Sequence, residues 1–123
     1  MKYITTPSVP AAIGPYSQAI LSGNTLYASG QIPINPASGQ IEARDIAGQT
    51  EQACRNVGEI LKAAGMGFEN VVKTTCFLSD IGHFAAFNEV YAKYFVSKPA
   101  RSCVAVKDIP KGALCEIEIV AVR

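Results

Sequence analysis

The C-terminal run from Leu114 to Val122 predicts a β-strand that is apolar on both of its faces. Because alternate side chains of a strand point to opposite faces, one face carries Cys115, Ile117, Ile119 and Ala121. The opposite face is also largely apolar and carries Leu114, Glu116, Glu118, Val120 and Val122. Both faces of the sheet that contains this strand therefore need a covering layer.

Two segments predict helices. Apolar residues recur at helical spacing after Asp45, which is a suitable N-cap, and before Gly65, which is a suitable C-terminal stop. The second helix is predicted from Phe84 to Phe95, where aromatic residues form one stripe. Two helices are available to cover the sheet.

Runs of β-branched and aromatic residues, separated by turn residues, predict the strands. These are residues 17–21 and 25–29, joined as a hairpin, then 71–78, 100–106 and 114–122, with a further strand near residues 2–5. The order ββ-α-β-α-ββ predicts an α+β fold, with a mixed sheet of about six strands and both helices on one face.

A chain of 123 residues suits a single domain, residues 1–123. Two helices on one face of the sheet leave the other face uncovered, although the last strand predicts that this face is apolar. We therefore expect a homo-oligomer that associates through the open face.

Composition argues against several classes of function. The formal net charge is +1 and the eleven basic residues are scattered singly, which argues against nucleic acid as a partner. No segment approaches the ~18 apolar residues of a membrane span, and the N-terminus lacks the apolar stretch of a signal peptide, so we expect a cytoplasmic protein with no membrane partner. The four cysteines show no CxxC spacing and His83 is the only histidine, so no metal site is predicted.

Arg101 is the strongest candidate for a functional residue, because it lies in an otherwise apolar strand. A guanidinium keeps its charge, and its planar fork of donors suits a carboxylate. Leaving it buried without a partner would cost about 3–5 kcal/mol. Glu116 and Glu118 could form a structural ion pair with it. Alternatively, Arg101 holds a substrate carboxylate while one of these glutamates positions or deprotonates a water molecule.

Two loop segments could supply pocket walls. The turn at Gly14-Pro15 presents Tyr16 at a fixed angle, either as a pocket wall or simply as a packed aromatic residue. Gly30 follows Ser29 at the end of a predicted strand, where it would let a ligand approach backbone N–H groups. We treat Tyr16, Ser29 and Gly30 as candidate binding residues.

Three further candidates come from the second helix and the Arg101 strand. Phe87 would help to shape the pocket, and Asn88 beside it faces either solvent or the ligand. Cys103 shares a strand face with Arg101. Because no histidine is placed to activate its thiol, we expect Cys103 to pack beside the pocket and not to act as a nucleophile.

Six segments in order resemble one known family, the reactive-intermediate deaminase or RidA/YjgF family. The resemblance covers nearly the whole chain and is carried by residues 13–16 (IGPY), 29–33 (SGQIP), 70–75 (NVVKTT), 87–91 (FNEVY), 99–104 (PARSCV) and 116–118 (EIE). It implies a chorismate-mutase-like α+β fold and a homotrimer whose sheets line a central barrel, with pockets between subunits. It also implies that no cofactor or metal is needed.

The resemblance implies hydrolysis of reactive 2-enamino and 2-imino acids, such as 2-aminoacrylate and 2-iminobutanoate, to 2-oxo acids and ammonia. It assigns the carboxylate anchor to Arg101 and the water-positioning acid to Glu116. Further pocket positions fall on Tyr16, Gly30 and Asn88, and the backbone carbonyl of Cys103 would accept from the substrate nitrogen.

Two other functions stay open. The same pocket could bind 2-oxo acids without turnover, as in a metabolic regulator. Endoribonuclease activity or inhibition of translation is attributed to some relatives, but the near-zero net charge and the absence of a basic, aromatic groove argue against it.

Overall fold

A computed structural model describes residues 1–123, with six strands in a single sheet. The strands are β1 Lys2–Ile4, β2 Ala19–Ser22, β3 Thr25–Ala28, β4 Val71–Leu78, β5 Ala100–Ala105 and β6 Cys115–Val122. Their order across the sheet is β1-β2-β3-β6-β4-β5. The β4–β5 pair is parallel and the other neighbours are antiparallel. The prediction of a mixed sheet of about six strands is confirmed.

The two helices are α1 Ile46–Ala63 and α2 Phe84–Tyr94. Asp45 Oδ1 accepts a hydrogen bond from Gly48 N at 3.0 Å, so Asp45 is the N-cap of α1. Gly65 follows the helix with a φ of 72°, in the left-handed region that glycine adopts readily. Helix α2 connects β4 to β5, because parallel strands need a crossover connection. Neither helix combines the length and the hydropathy that crossing a membrane requires.

Both helices pack on one face of the sheet, where the hydrophobic core lies. Alternate residues of β6 are buried in this core together with Leu61 of α1 and Phe87 of α2. The opposite face is open, and it exposes the apolar side chains of Tyr3, Tyr27 and Val104. An exposed apolar sheet face of this kind marks an interaction surface.

The first hairpin differs from the prediction at its open end. Strand β2 begins at Ala19, two residues later than expected. At residue 17 the pairing is replaced by a side-chain hydrogen bond, in which Ser29 Oγ donates to Ser17 O at 2.6 Å. The residues that precede β2 are therefore not paired with β3, and they form a loop at this end of the hairpin.

Candidate active site in two parts

The side chain of Arg101 lies on the helix-bearing face of the sheet, beside α2. Its Nη1 donates a hydrogen bond to Asn88 Oδ1 at 2.8 Å. The guanidinium carbon lies 4.8 Å from the centre of the Tyr91 ring and 5.5 Å from that of Phe84. The half-buried cation is therefore held against two aromatic rings by cation–π contacts.

No carboxylate of the chain pairs with Arg101. The one ion pair in the structure joins Arg55 to Glu51, with 3.8 Å between nitrogen and oxygen. Since Arg101 makes a single hydrogen bond within the chain, its other guanidinium donors can bind an anionic ligand. The chain itself offers no structural ion pair that would account for this arginine.

A cleft of about 470 Å³ adjoins Arg101, between α2 and the turn that leads into β5. Tyr91 is the main aromatic wall of this cleft. Its hydroxyl is hydrogen-bonded to Thr74 Oγ1 at 2.8 Å, and its ring stacks on that of Phe95 with 4.2 Å between the centres. The remaining lining residues are Asn88, Ala92, Val96, Lys98 and Pro99.

Glu116 points from the open face of β6 into a second pocket, of about 540 Å³. The walls of this pocket come from residues 10–18, residues 29–34 and the turn at Pro110 and Lys111. Gly30 lies directly against the Glu116 carboxylate, because a Cβ added at residue 30 would overlap it. Tyr16 lines the same pocket. A carboxylate, a phenol and a glycine backbone therefore meet here.

The environment of Glu116 changes its proton affinity. Burial raises the pKa of Glu116 above its ordinary value, and the nearby negative charge of Glu118 raises it further. Lys111 is the one cationic side chain that lines this pocket. A carboxylate whose pKa is raised toward neutrality takes up a proton more readily, which suits a general base.

The sheet separates the two clusters. Arg101 is in register with Thr74 and, across β4, with Ile119, in a row on the helix-bearing face. Glu116 is in register with Phe77, in a row on the open face. Within one chain the structure therefore does not bring Arg101 and Glu116 together.

The other predicted residues divide between the two clusters. Tyr16, Ser29 and Gly30 line the Glu116 pocket. The Ser29 hydroxyl donates to Ser17 O, so toward a ligand it can only accept. Cys103 is half-buried on the face of Arg101, and burial raises the pKa of its thiol, which suits packing better than nucleophilic attack.

Phe87 lines neither pocket. Its side chain is 0 % exposed in the hydrophobic core, with its ring centre 5.7 Å from that of Tyr91. The structure therefore corrects the prediction that Phe87 helps to form the binding surface. The next helical position is rotated by about 100°, so Asn88 reaches Arg101 whereas Phe87 faces the core.

Sequence reasoning missed two residues of the site. Tyr91 lies three positions after Asn88, on the same side of α2, and helical spacing could have revealed it. Lys111 lines the Glu116 pocket from a turn in which its φ is 60°, in the left-handed region. No local pattern predicts that backbone conformation for a lysine, so its direction could not be foreseen.

No group of three or more His, Cys, Asp or Glu side chains comes together in a way that could hold a metal ion. Cys54, Cys76 and Cys115 are buried and unpaired. Burial raises the pKa of Cys76 and of Cys115 to about 12. These core thiols therefore stay protonated near neutral pH and are unreactive.

The sequence of the chain matches a known protein family. The family model described as Endoribonuclease L-PSP matches residues 6–123, which include both clusters. The chain belongs to this family, also called RidA/YjgF.

Relatives of this RidA/YjgF chain are similar over almost its full length. The human 2-iminobutanoate/2-iminopropanoate deaminase is 51% identical over 123 residues, which are 99% of this chain and 90% of the human protein. A Lactococcus lactis protein named as a regulator, AldR, is also 51% identical, over 98% of this chain and 97% of its own length. The crystal structure of the YjgF gene product of E. coli has a TM-score of 0.95 at 45% identity, covering 100% of this chain and 99% of that one.

Proposed function

We propose that this RidA/YjgF protein is an enzyme that hydrolyses reactive 2-enamino and 2-imino acids to 2-oxo acids and ammonia. The human relative is named for 2-iminobutanoate and 2-iminopropanoate, and relatives from cattle, goat and rat carry the same name. Each of these substrates has a carboxylate next to the reactive C=N carbon. The observation that carries the proposal is Arg101, a half-buried guanidinium with one hydrogen bond and no acidic partner in the chain.

Arg101 holds the substrate carboxylate through its free donors. Asn88 and the ring of Tyr91 fix the guanidinium from two sides, so its orientation is set before a ligand arrives. A carboxylate bound to two parallel donors is held in one plane. The adjacent C=N carbon is thereby placed at a defined position, which favours attack by one aligned water molecule.

Glu116 positions that water and takes its proton. In the protonated imine the C2 carbon is electrophilic, so the water oxygen forms a bond to it, the π electron pair of the C=N bond moves to nitrogen, and Glu116 accepts a proton from the water. The nitrogen of the resulting carbinolamine takes this proton, and the C–N bond breaks with its electron pair on nitrogen. The hydroxyl oxygen forms the C=O bond and its proton passes to solvent, which leaves the 2-oxo acid and ammonia. The raised pKa of Glu116 suits both proton transfers.

Tyr16, Ser29 and Gly30 enclose the substrate on the Glu116 side, and Asn88 does so on the Arg101 side. The backbone carbonyl of Cys103 accepts a hydrogen bond from the substrate nitrogen. Strand β5, which contains Cys103, is an edge strand, so its outward-pointing carbonyls have no partner strand within the chain.

The two clusters complete one site between neighbouring copies of residues 1–123, which act as a single domain. Because the sheet separates Arg101 from Glu116, one substrate can touch both only when they come from different chains. The exposed apolar face with Tyr27 and Val104 supplies a surface for this association. We propose a homotrimer in which three open faces surround a common axis, with a pocket at each subunit boundary.

Four unpaired cysteines, three of them buried, suit a reducing compartment, and we place the protein in the cytoplasm on this ground.

The deaminase proposal is tested by ammonia release from imines that a pyridoxal-phosphate-dependent dehydratase generates in the same cuvette. The wild-type protein should accelerate imine decay, and Arg101→Ala should abolish this effect while the fold is kept. Arg101→Lys is the matched control, because it retains the charge but loses the planar fork, and it should be intermediate. If the wild-type protein leaves imine decay unchanged, the proposed reaction is wrong; if Arg101→Ala is fully active, only the anchor is wrong.

The name of the Lactococcus lactis relative, a regulator, favours a second candidate function. We take this to be a regulator whose pocket binds 2-oxo acids without turnover. Such a protein would bind 2-oxobutanoate and leave imine decay unaccelerated. Endoribonuclease activity, which the family description names, fits poorly with a net charge of +1 and scattered basic residues. Nuclease activity that disappears on further purification would exclude it.

A further inference from the structure

One wall of the Glu116 pocket has almost no backbone hydrogen bonds of its own. Between β1 and β2, residues 5–17 contain no helix or strand, and their single backbone–backbone hydrogen bond runs from Tyr16 N to Gly14 O. This segment nevertheless supplies Ile13 and Tyr16 to the pocket, and these residues are 81% and 52% exposed. Other groups must therefore hold the wall in place.

The side chain of Gln18 fastens this wall. Gln18 is only 5% exposed, and its Oε1 accepts from Thr6 N at 2.8 Å. Its Nε2 donates to Thr6 O at 3.2 Å and to Pro10 O at 3.0 Å. Both amide hydrogens are thus used within the chain, and Gln18 has no donor left for a ligand.

The backbone of Gln18 is in turn tied to the sheet, because Ser29 N donates to Gln18 O at 2.9 Å. Apart from the Gln18 side chain, one hydrogen bond joins residues 5–17 to the rest of the chain, from Ser29 Oγ to Ser17 O. Gln18 therefore makes three of the four hydrogen bonds that locate this wall.

We propose that Gln18 is a positioning residue that holds Tyr16 at the Glu116 pocket by fastening Thr6 and Pro10. Both of its amide hydrogens are used within the chain, so Gln18 acts through the wall and not as a donor to the reacting atoms. The kinetic part of this proposal rests on the proposed function. The structural part, that Gln18 orders residues 5–17, does not.

The test uses Gln18→Glu, which keeps the shape and the acceptor but removes both donors. We expect the KM for the imine to rise about tenfold while kcat changes less than about threefold, because hydrogen bonds that shape the binding wall are lost. In a Tyr16→Ala background the same substitution should raise the KM little further, since the side chain through which Gln18 acts has already been removed. An effect of equal size in both backgrounds would overturn the proposal.

Gln49→Glu is the matched control. Gln49 is also 5% exposed, and its amide bridges Ala43 O and Leu114 N at 3.0 and 2.8 Å, away from the wall. Its substitution should lower the melting temperature as Gln18→Glu does, but its kinetic effect should be the same with and without Tyr16→Ala.

Hydrogen exchange provides a readout that does not depend on turnover. In Gln18→Glu the three hydrogen-bonded amides of this wall, those of Thr6, Ser8 and Tyr16, should exchange faster while those of β6 are unchanged. Unchanged exchange at these three amides would overturn the proposal. If Gln18→Glu fails to fold, Gln18→Met removes the same donors without placing a carboxylate beside two carbonyls. If the wild-type protein shows no deaminase activity, the proposed function fails, and the exchange result still decides the role of Gln18.

Discussion

Gly30→Ala should inactivate the protein by displacing Glu116. Gly30 does not require the left-handed region of backbone conformation, so alanine adds no backbone strain there. Its Cβ would lie 2.8 Å from Cδ and 3.0 Å from Cγ of Glu116. Carbon atoms in favourable contact are about 3.5–4.0 Å apart, so the glutamate side chain has to rotate away.

We expect Gly30→Ala to reduce turnover far more than it reduces stability. Moving the half-buried Glu116 side chain off its preferred rotamer costs about 0.5–1.5 kcal/mol. A loss of about 1 kcal/mol lowers the melting temperature of a domain of this size by about 4 °C. Removing a general base from its position costs about 100-fold to 10,000-fold in rate. Gly30→Ala should therefore stay folded and lose most of its turnover.

The assay is ammonia release with a thermal melt of the same samples. Gly48→Ala is the matched control, because its Cβ would lie 2.7 Å from Asp45 Oδ1 at the start of α1, and Gly48 lines neither pocket. It should lose stability and keep kcat. In a Glu116→Ala background, Gly30→Ala should cause no further loss of turnover. Wild-type turnover in Gly30→Ala would refute the placement of Glu116 in the reaction.

Three further predictions concern the same site. Asn88→Leu removes the 2.8 Å hydrogen bond to Arg101 and should raise KM about fivefold to tenfold at similar kcat; an unchanged KM would contradict the role of Asn88. Burial is the first cause of the raised pKa of Glu116 and the charge of Glu118 the second, so Glu118→Gln should lower that pKa. The acidic limb of the kcat/KM profile then moves to lower pH, and a move to higher pH would be inconsistent. Val104→Glu charges the open face and should reduce the solution mass to that of a monomer with loss of turnover, whereas an assembled and active variant would count against the interface.

The elements of the fold follow from local signals in the sequence. Asp45 and Gly65 mark the ends of α1 because capping depends on a few neighbouring residues. The pairing of strands is different. β6 lies between β3 and β4, and no local pattern specifies that order or its register. Whether Arg101 meets Glu116 within the chain therefore could not be decided from the sequence.

The residues of the candidate site, like the fold, could be predicted from the sequence only in part. Arg101 stands out as a cation in an apolar strand, so residue chemistry alone singles it out. The choice of Glu116 over Glu118 came only from the family resemblance, since both lie on one strand face. The prediction for Phe87 was wrong because α2 carries aromatic residues on more than one side. The spacing of these residues therefore does not show which of them face the core and which face the pocket.

Mixing two inactive variants shows whether one site is built by two chains. We expect Arg101→Ala and Glu116→Ala each to be inactive alone. The two variants are denatured and refolded together in equal amounts. If neighbouring copies supply the two residues, about one quarter of the sites in the random mixture contain both intact groups, and about a quarter of wild-type activity returns. A mixture that stays as inactive as its components would contradict the shared site.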